Sequence, residues 1–227
     1  MRKALLLLLV PLILSGCRKE GFVPYAGKET GQVRNGVIVT DNGVNLVVDA
    51  NPGNYKLTTD RRVVVSYKAT ASDGPDTYRI DLEELWETSR IEPIAEPSGE
   101  HYDDPVRIDE AWFSGGYLNV EVAYDGTEPS LHLFPATYEI ADGKILFHIM
   151  HESREDLTAK DPLLRSFLCF PLETLTKEYM DLNPSAAKKK HPAIPFLLQW
   201  RWYAQEGDTP QDEVIPYERE GTYFPGS

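Results

Sequence analysis

Apolar and polar residues alternate one by one along several short segments of this chain. In residues 62–69, Val63, Val65 and Tyr67 point to one side of an extended strand and the residues between them to the other. A period of two residues is typical of a half-buried β-strand. The same alternation recurs in three other segments, which are 77–82, 117–124 and 193–204.

Turn-forming residues separate these segments. Asp41-Asn-Gly43 and Asn51-Pro-Gly-Asn54 each predict a change of chain direction, and Asp142-Gly143 predicts a two-residue hairpin turn. Residues 83–86 either extend a strand or begin a helical turn, and 171–180 suggests a short helix. Many short strands with few helical periods predict an all-β protein, built as a sandwich or a barrel. The further strand-like runs are 31–40, 44–48, 55–57, 131–134, 137–141, 144–152 and 166–172.

The segment Ile91-Glu-Pro-Ile-Ala-Glu-Pro-Ser-Gly99 is the best candidate for a linker between two domains. Its two prolines and one glycine, with acidic residues between them, fit neither the interior of a strand nor that of a helix. We therefore place a domain boundary here, with a first domain at 31–97 and a second at 98–227.

The first residues have the layout of an export signal rather than of a folded domain. Arg2-Lys3 supplies positive charge, 4–14 is apolar, and Leu14-Ser-Gly-Cys17 follows. The apolar run is too short to span a bilayer as a helix. A cysteine directly after Ser-Gly resembles the lipobox of bacterial lipoproteins. We therefore expect a signal peptide at 1–16, lipidation (palmitate among the acyl chains) on Cys17, and a lipid anchor and tether at 17–30.

The charge of the chain limits its partners. Without Arg2 and Lys3 the mature chain has 21 basic residues against 36 acidic ones, a net charge of −15 with histidine neutral. Such a surface repels phosphate backbones, so no nucleic-acid partner is expected. It also offers no polybasic contact with anionic lipids, so membrane attachment would depend on the acyl chains of Cys17.

The lipobox is one part of a longer pattern. With segments 31–39, 61–67, 78–81, 104–109, 111–119 and 151–156, it resembles the NigD-like lipoproteins of Bacteroides-type bacteria. The most specific piece is Trp112–Asn119, and the likeness spans nearly the whole mature chain. The resemblance implies an N-terminal OB-type barrel followed by a C-terminal β-sandwich.

The resemblance also implies a location and a role. It implies a lipid-anchored protein of the cell envelope, at the outer membrane, with periplasmic and surface exposure both open. The family name comes from a bacteriocin gene cluster for which a role in immunity was suggested. We therefore expect a non-enzymatic protein-interaction role related to bacteriocin immunity, with Cys17 as the only functional residue that the resemblance carries over. A glycan-binding or small-molecule-binding lipoprotein and a hydrolase are the alternatives.

Three histidines lie close enough in sequence to suggest a metal site. On a strand, His148 and His151 would point to opposite faces, although His148 and His132 could still meet across neighbouring strands, and ordinary strand histidines are favoured over a metal site. No Cys-x-x-Cys or His-Glu-x-x-His motif accompanies them. We therefore expect no metal, no cofactor and no catalytic residue.

Ser114 matches a hydrolase nucleophile motif only in part. The two glycines that follow it are expected to form a turn before the next strand. The acidic pairs Glu83-Glu84, Asp103-Asp104 and Asp109-Glu110 are expected by chance among 36 acids.

Aromatic residues and one cysteine complete the candidate chemistry. Cys169 lies among apolar residues and is expected to be buried and unpaired. The aromatics would either form a binding platform for glycans or pack in the core, and their alternation favours the core. They are Trp112, Phe113, Tyr117, Trp200, Trp202 and Tyr203.

Overall fold

The structure is a computed structural model, and it describes residues 23–96, 99, 102–157, 164–207 and 209–225. The first part of the chain forms a barrel whose strands pair in the closed order β1-β2-β3-β5-β4. All neighbours are antiparallel except β3 and β5, which are parallel. This is the pairing of an OB-type barrel. The strands are β1 Tyr25–Arg34, β2 Val37–Thr40, β3 Asn45–Ala50, β4 Arg62–Gly74 and β5 Thr77–Glu87.

The alternation read from the sequence fills this barrel. Val63, Val65 and Tyr67 of β4 are buried in its core, as their shared side predicted. β5 continues through 83–86 as a strand, which decides between the two expectations for that segment. The other buried members of the core are Val33, Ile38, Leu46, Ala69, Ile80 and Leu82.

Three expectations for the first domain need correction. Segment 31–40 is not one strand, because Asn35 and Gly36 adopt positive φ angles of 51° and 79° and turn β1 into β2. β1 begins at Tyr25, so residues 25–30 of the predicted tether belong to the barrel. Segment 55–57 is not a strand. The Asn51 side chain accepts from Tyr55 N at 2.9 Å and donates to Tyr55 O at 2.8 Å, which holds this segment in a loop.

The second part of the chain is a sandwich of two sheets, ordered β14-β13-β11-β10-β7 and β6-β12-β9-β8. One helix, α1 Glu173–Leu182, confirms the predicted short helix, and a second short one, α2 Pro184–Ala187, follows it. An all-β fold with an OB-like barrel followed by a β-sandwich is therefore confirmed. The strands are β6 Ser89–Arg90, β7 Ile94–Ala95, β8 Arg107–Ser114, β9 Tyr117–Tyr124, β10 Ala136–Ala141, β11 Lys144–Ile149, β12 Leu164–Pro171, β13 Ile194–Glu206 and β14 Thr209–Tyr223.

The sandwich core also follows the sequence pattern. Phe196, Leu198, Trp200 and Trp202 lie buried on one face of β13. Asp142 and Gly143 form the predicted hairpin turn between β10 and β11, with positive φ angles of 51° and 72°. The run 131–134 is not a strand. Pro129–Leu131 is a 3-10 helix, after which Leu133 makes a single bridge to Glu152.

The segment between the barrel and the sandwich contributes short strands to both sheets. Ser89–Arg90 pairs with β12, and Ile94–Ala95 pairs with β10. Both are edge strands of two residues each. The exact boundary between residues 97 and 98 stays a prediction, because both lie outside the described residues.

Candidate functional site

The histidines do converge, but in a different pair from the one that the sequence suggested. His132 Nδ1 lies 2.8 Å from His151 Nε2, and the two rings are stacked. This contact does not include His148, the residue that the sequence offered as a partner for His132. The reason is that β11 ends at Ile149. His151 lies beyond the strand, where the alternation of strand faces no longer decides its direction.

A continuous line of hydrogen bonds runs through this pair. At one end, His151 Nδ1 donates to the Pro105 carbonyl oxygen at 2.8 Å. At the other end, His132 Nε2 lies 3.3 Å from Asp156 Oδ2. The residue His151 is 1% exposed and the His132 side chain is fully buried. We call Asp156, His132, His151 and the Pro105 carbonyl the histidine chain.

The tautomer of His151 follows from its partner at the end of the histidine chain. A carbonyl can only accept, so His151 Nδ1, which faces the Pro105 carbonyl oxygen, carries a proton. Burial lowers the pKa of His151 to about 4, so its ring is neutral at pH 7 and its Nε2 accepts from His132 Nδ1.

Neighbouring residues fix both ends of the histidine chain. The backbone N–H groups of Thr127 and Glu128 donate to Asp156 at 2.8 Å each, and these bonds lower the pKa of the Asp156 carboxyl group. Gly126 has a φ of 149°, and a Cβ there would lie 2.3 Å from His132 Nε2. Only glycine therefore allows the backbone to pass this close to the ring. Phe134 stacks on His151 with centroids 4.9 Å apart.

The histidine chain joins two loops at one end of the sandwich, 127–135 and 151–157, which we call the loop face. Leu133 and Glu152 also join these loops through two backbone hydrogen bonds of 2.9 and 3.0 Å. Leu131, Leu133 and Leu157 of the loop face are 37%, 40% and 36% exposed. A groove of about 410 Å³ runs beside Leu133. Its lining includes Ile91, Tyr102, Pro129, Leu133, Phe134 and Pro135.

A second polar network lies where the barrel meets the sandwich. Arg62 of β4 makes a bidentate contact with Asp41, with Nη1 and Nη2 at 2.8 and 2.6 Å from its carboxylate oxygens. Ser114 of β8 donates to the same carboxylate at 2.6 Å, and Asn119 of β9 accepts from Arg62 Nη2 at 3.0 Å. The Arg62 and Asp41 side chains are 13% and 11% exposed. We call these four residues the junction network.

Two further contacts strengthen this junction. Trp112 Nε1 donates to Thr30 Oγ1 at 2.9 Å, from β8 to β1. Lys28 Nζ reaches Glu110 at 2.8 Å and the buried Glu121 at 3.0 Å. Side chains from three barrel segments therefore bind directly to the four-stranded sheet of the sandwich.

Two grooves flank the junction network. The first, of about 540 Å³, lies beside Trp112, Phe113, Lys28 and Glu29. The second, of about 710 Å³, has Tyr117 in its lining together with a group of arginines. Of the six aromatics that could have formed a platform, Trp200 and Trp202 are buried, and Phe113 and Tyr203 pack against the core. The half-buried Trp112 and Tyr117 line the grooves, so the expectation of core packing holds for the first four only.

The remaining candidate residues have structural partners. The Ser114 hydroxyl donates to Asp41. Asp104 accepts hydrogen bonds from the backbone N–H and the hydroxyl of Ser153. Asp109 forms an ion pair with Arg107. Cys169 is fully buried, as predicted, and burial raises the pKa of its thiol. Within the described residues, no group of three or more His, Cys, Asp or Glu side chains is arranged to hold a metal ion. Cys17 and the predicted signal peptide lie outside those residues.

These sites differ in how clearly a sequence pattern indicates them. The partners of His132 lie 19 and 24 positions away, and neither spacing follows a strand or helix period. Arg62 and Asp41 carry no motif at all. The glycines after Ser114 were the clearest signal, since they form the predicted turn into β9 with positive φ angles of 57° and 81°.

The fold is an OB-like barrel fixed to a β-sandwich through the junction network. Residues 90–188 match the NigD-like C-terminal beta sandwich domain. This match, which covers 99 of the 227 residues, confirms the resemblance to NigD-like proteins. No curated protein matches the chain. Among the described residues, no helix is long and apolar enough to cross a membrane.

Several solved structures from Bacteroides and Parabacteroides species share this fold. A NigD-like immunity protein from Bacteroides caccae is 20% identical with a TM-score of 0.59, over 88% of this chain and 97% of that one. A putative toxin-related protein from Parabacteroides distasonis is 17% identical with a TM-score of 0.54, over 88% and 93%. A putative lipoprotein from Bacteroides fragilis is 13% identical with a TM-score of 0.54, over 87% and 97%. At these identities the likeness concerns the fold.

Proposed function

We propose that this protein is a lipid-anchored lipoprotein of the cell envelope that binds another protein through its loop face and catalyses no reaction. The observation that carries the proposal is the group of three exposed leucines, Leu131, Leu133 and Leu157, on two loops that a buried hydrogen-bonded chain holds together. Exposed apolar residues on rigidly supported loops are typical of protein-binding sites.

The hydrogen bonds of the histidine chain argue against a catalytic role. In a hydrolase, a histidine needs one ring nitrogen free to take a proton from a nucleophile. Here all four ring nitrogens of His132 and His151 have partners within the fold. A substrate would have to break one of these bonds, so we assign the pair a supporting role.

Two structural relatives favour a role in immunity against a toxin. One relative is described as an immunity protein and another as toxin-related. An immunity protein acts by binding a toxin, and a rigid loop face suits that task. We therefore propose a bacteriocin-like protein as the partner.

The proposed anchor is Cys17, with acyl chains in the outer membrane. The lipobox supports it, and one structural relative is described as a putative lipoprotein. The Cys17→Ala protein should lose its membrane attachment, as measured by fractionation after a high-salt wash. If that variant still sediments with membranes, the anchor is wrong even if the binding role stands.

Site-specific photo-crosslinking in cells tests the binding role. The full chain would carry p-benzoylphenylalanine at Leu133 or, as the control, at Leu182, a leucine on α1 that is 66% exposed. A discrete adduct is expected from Leu133 only, and Leu131→Asp should abolish it while Leu182→Asp should not. Adducts of equal yield from both positions, or none from Leu133, would reject the loop face as a binding site.

A second candidate function is the binding of a glycan or another small envelope molecule. The groove of about 540 Å³ at the domain junction favours it, because Trp112 and Phe113 offer apolar rings among polar side chains. A glycan array with the full chain would show binding that Trp112→Ala removes. If this groove binds no glycan, no signal on the array will depend on Trp112.

A further inference from the structure

The larger groove at the domain junction concentrates positive charge in an acidic protein. Ten arginines lie in the described residues, and four of them line this groove of about 710 Å³. Acidic residues outnumber basic ones by 36 to 23 in the whole chain. In the lining of the groove the order is reversed, with four arginines against Asp41, Asp60 and Glu87. We call this site the arginine groove, and its arginines are Arg34, Arg61, Arg62 and Arg90.

Only one of these arginines is fully used within the fold. Arg62 is held by Asp41 in the junction network. Arg34 donates from Nε and Nη2 to the uncharged Gln32 amide oxygen at 3.2 and 3.0 Å. Arg61 lies 3.8 Å from Glu87, and both side chains are largely exposed. Three guanidinium groups therefore stand at this groove with a neutral, a distant or an exposed partner.

Arg90 completes the set. Its Nε and Nη2 both approach a single oxygen of Glu92, at 3.0 and 2.6 Å, and the two side chains are 60% and 66% exposed. An exposed pair of this kind contributes little free energy, so a ligand can replace it at small cost. The guanidinium carbons of Arg62 and Arg90 also lie 4.2 and 5.9 Å from the centre of the Tyr117 ring.

We propose that the arginine groove binds a small ligand that carries a phosphate or carboxylate group on a body the size of a monosaccharide. Guanidinium groups match the paired oxygens of both anions. Tyr117 supplies a flat ring, and Gln32, Thr88 and Ser89 in the lining supply further polar groups. This site lies at the domain junction and its proposal goes beyond the protein-binding role of the loop face.

The charge of the whole protein sets the size of the ligand. A long polyanion would extend past the groove onto a surface dominated by acidic residues and would be repelled there. A small anion stays within the groove, where four arginines face three acidic residues and one of these, Asp41, is already paired with Arg62. The binding should weaken as salt increases, because the contacts at the rim are exposed.

Isothermal titration of the full chain in detergent, at low salt, tests the site with four probes. These are inorganic phosphate, glucose 6-phosphate, glucuronate and, as the neutral control, glucose. Glucose 6-phosphate or glucuronate should bind, and glucose should not. Tighter binding of glucose 6-phosphate would identify phosphate as the preferred anion, and tighter binding of glucuronate would identify carboxylate. Binding of inorganic phosphate as strong as that of glucose 6-phosphate would reject the part of the proposal that concerns the sugar-sized body.

A matched pair of variants locates the binding. Arg34→Gln with Arg90→Gln should weaken the anion at least tenfold while leaving the junction network intact. Arg79→Gln with Arg107→Gln removes the same charge from exposed pairs elsewhere and should change affinity less than twofold. No binding of any anionic probe, or equal weakening by both double variants, would overturn the proposal. Leu131→Asp should leave anion binding unchanged, so this test can fail without the protein-binding role failing.

Discussion

The two buried polar networks solve different problems with different chemistry. The junction network fixes one domain to the other through an arginine and a carboxylate, whereas the histidine chain fixes two loops through two imidazoles and a carboxylate. An arginine keeps its charge at every pH at which proteins are folded. A histidine changes its charge between about pH 5 and 8. The support of the loop face is therefore expected to depend on pH through His151, whose pKa burial lowers to about 4.

The networks also differ in what surrounds them. Asp41 and Arg62 keep about a tenth of their side-chain surface exposed, next to two grooves. His132 and His151 are enclosed by aromatic rings, with Tyr124 at 4.6 and 5.5 Å and Phe134 stacked on His151. Buried polar groups in such surroundings are costly unless every hydrogen bond is made. A small change near the histidine chain should therefore act on the whole of it.

The largest effect is expected from Asp41→Ala in the junction network. It leaves the Arg62 guanidinium without its carboxylate and should lower the free energy of unfolding by about 3 kcal/mol. The measurement is urea unfolding monitored by tryptophan fluorescence. The control is Asp73→Ala, which breaks the exposed pair with Arg79 and should cost under about 1 kcal/mol. Equal losses for both variants would mean that the junction network adds nothing beyond a surface ion pair.

The next effect is a dependence of stability on pH that comes from His151. The pKa of His151 is about 4 in the folded protein against 6.5 for an ordinary histidine, so between these values the unfolded chain binds more protons. The contribution of His151 to the free energy of unfolding is therefore fully present above pH 6.5. It falls by at most about 3 kcal/mol as the pH drops toward 4. Asp104, Asp156 and Tyr124 are the titratable groups beside the pair.

The pH effect is measured as the difference between two unfolding profiles. His151→Gln removes the titration and should flatten the slope between pH 6.5 and 4, whatever it does to stability at neutral pH. His191→Gln changes an exposed histidine and should keep the slope of the unmodified protein. Parallel slopes for all three proteins would show that His151 does not set the dependence.

The strands and turns that could be predicted from the sequence are those whose pattern lies within a few neighbouring residues. The alternation in β4 and β13 is a property of neighbouring residues, and the Asp142-Gly143 turn needs only its own backbone. Segment 55–57 shows how such local reasoning fails. The Asn51 side chain takes both backbone groups of Tyr55 that a strand partner would need. That competition depends on the folded geometry of a side chain, which an apolar pattern does not contain.

The candidate sites were harder to predict than the elements because they join distant segments. Ser114 and Asp41 are 73 positions apart, and Arg62 and Asn119 are 57 apart. The pairing of His132 with His151 depends on loops after strand ends, where no period applies. The sequence indicated the histidines and Ser114 as candidates, but it did not indicate Arg62 or Asp41, and it did not show which side chains meet.

A smaller effect is expected from Gly126→Ala, which acts on the histidine chain without removing any of its groups. The added Cβ would lie 2.3 Å from His132 Nε2 and 2.9 Å from the Asp156 carbonyl oxygen, so the ring must move. We expect a loss of about 2 kcal/mol, measured by urea unfolding. Gly207→Ala, at a φ of 62° with nothing within 4 Å of the added Cβ, is the control for a glycine replacement without a close contact. If the two variants lose the same amount, the close approach to His132 has no cost of its own.

The smallest effect is expected from Thr30→Val at the junction. The change keeps the shape of a buried side chain that is 5% exposed and removes only the hydroxyl that accepts from Trp112 Nε1. An unsatisfied indole N–H at a partly buried position should cost about 1 kcal/mol, measured by urea unfolding. Thr70→Val on the exposed part of β4, where the hydroxyl makes one long bond of 3.3 Å to a backbone oxygen, is the matched control and should cost less. Because Trp112 sits at the first groove, its fluorescence maximum should also shift to longer wavelength in Thr30→Val if the indole turns toward water. A loss of stability without that shift would mean that the effect arises within the barrel alone. The hydrogen bond from Trp112 would then not help to fix the two domains together.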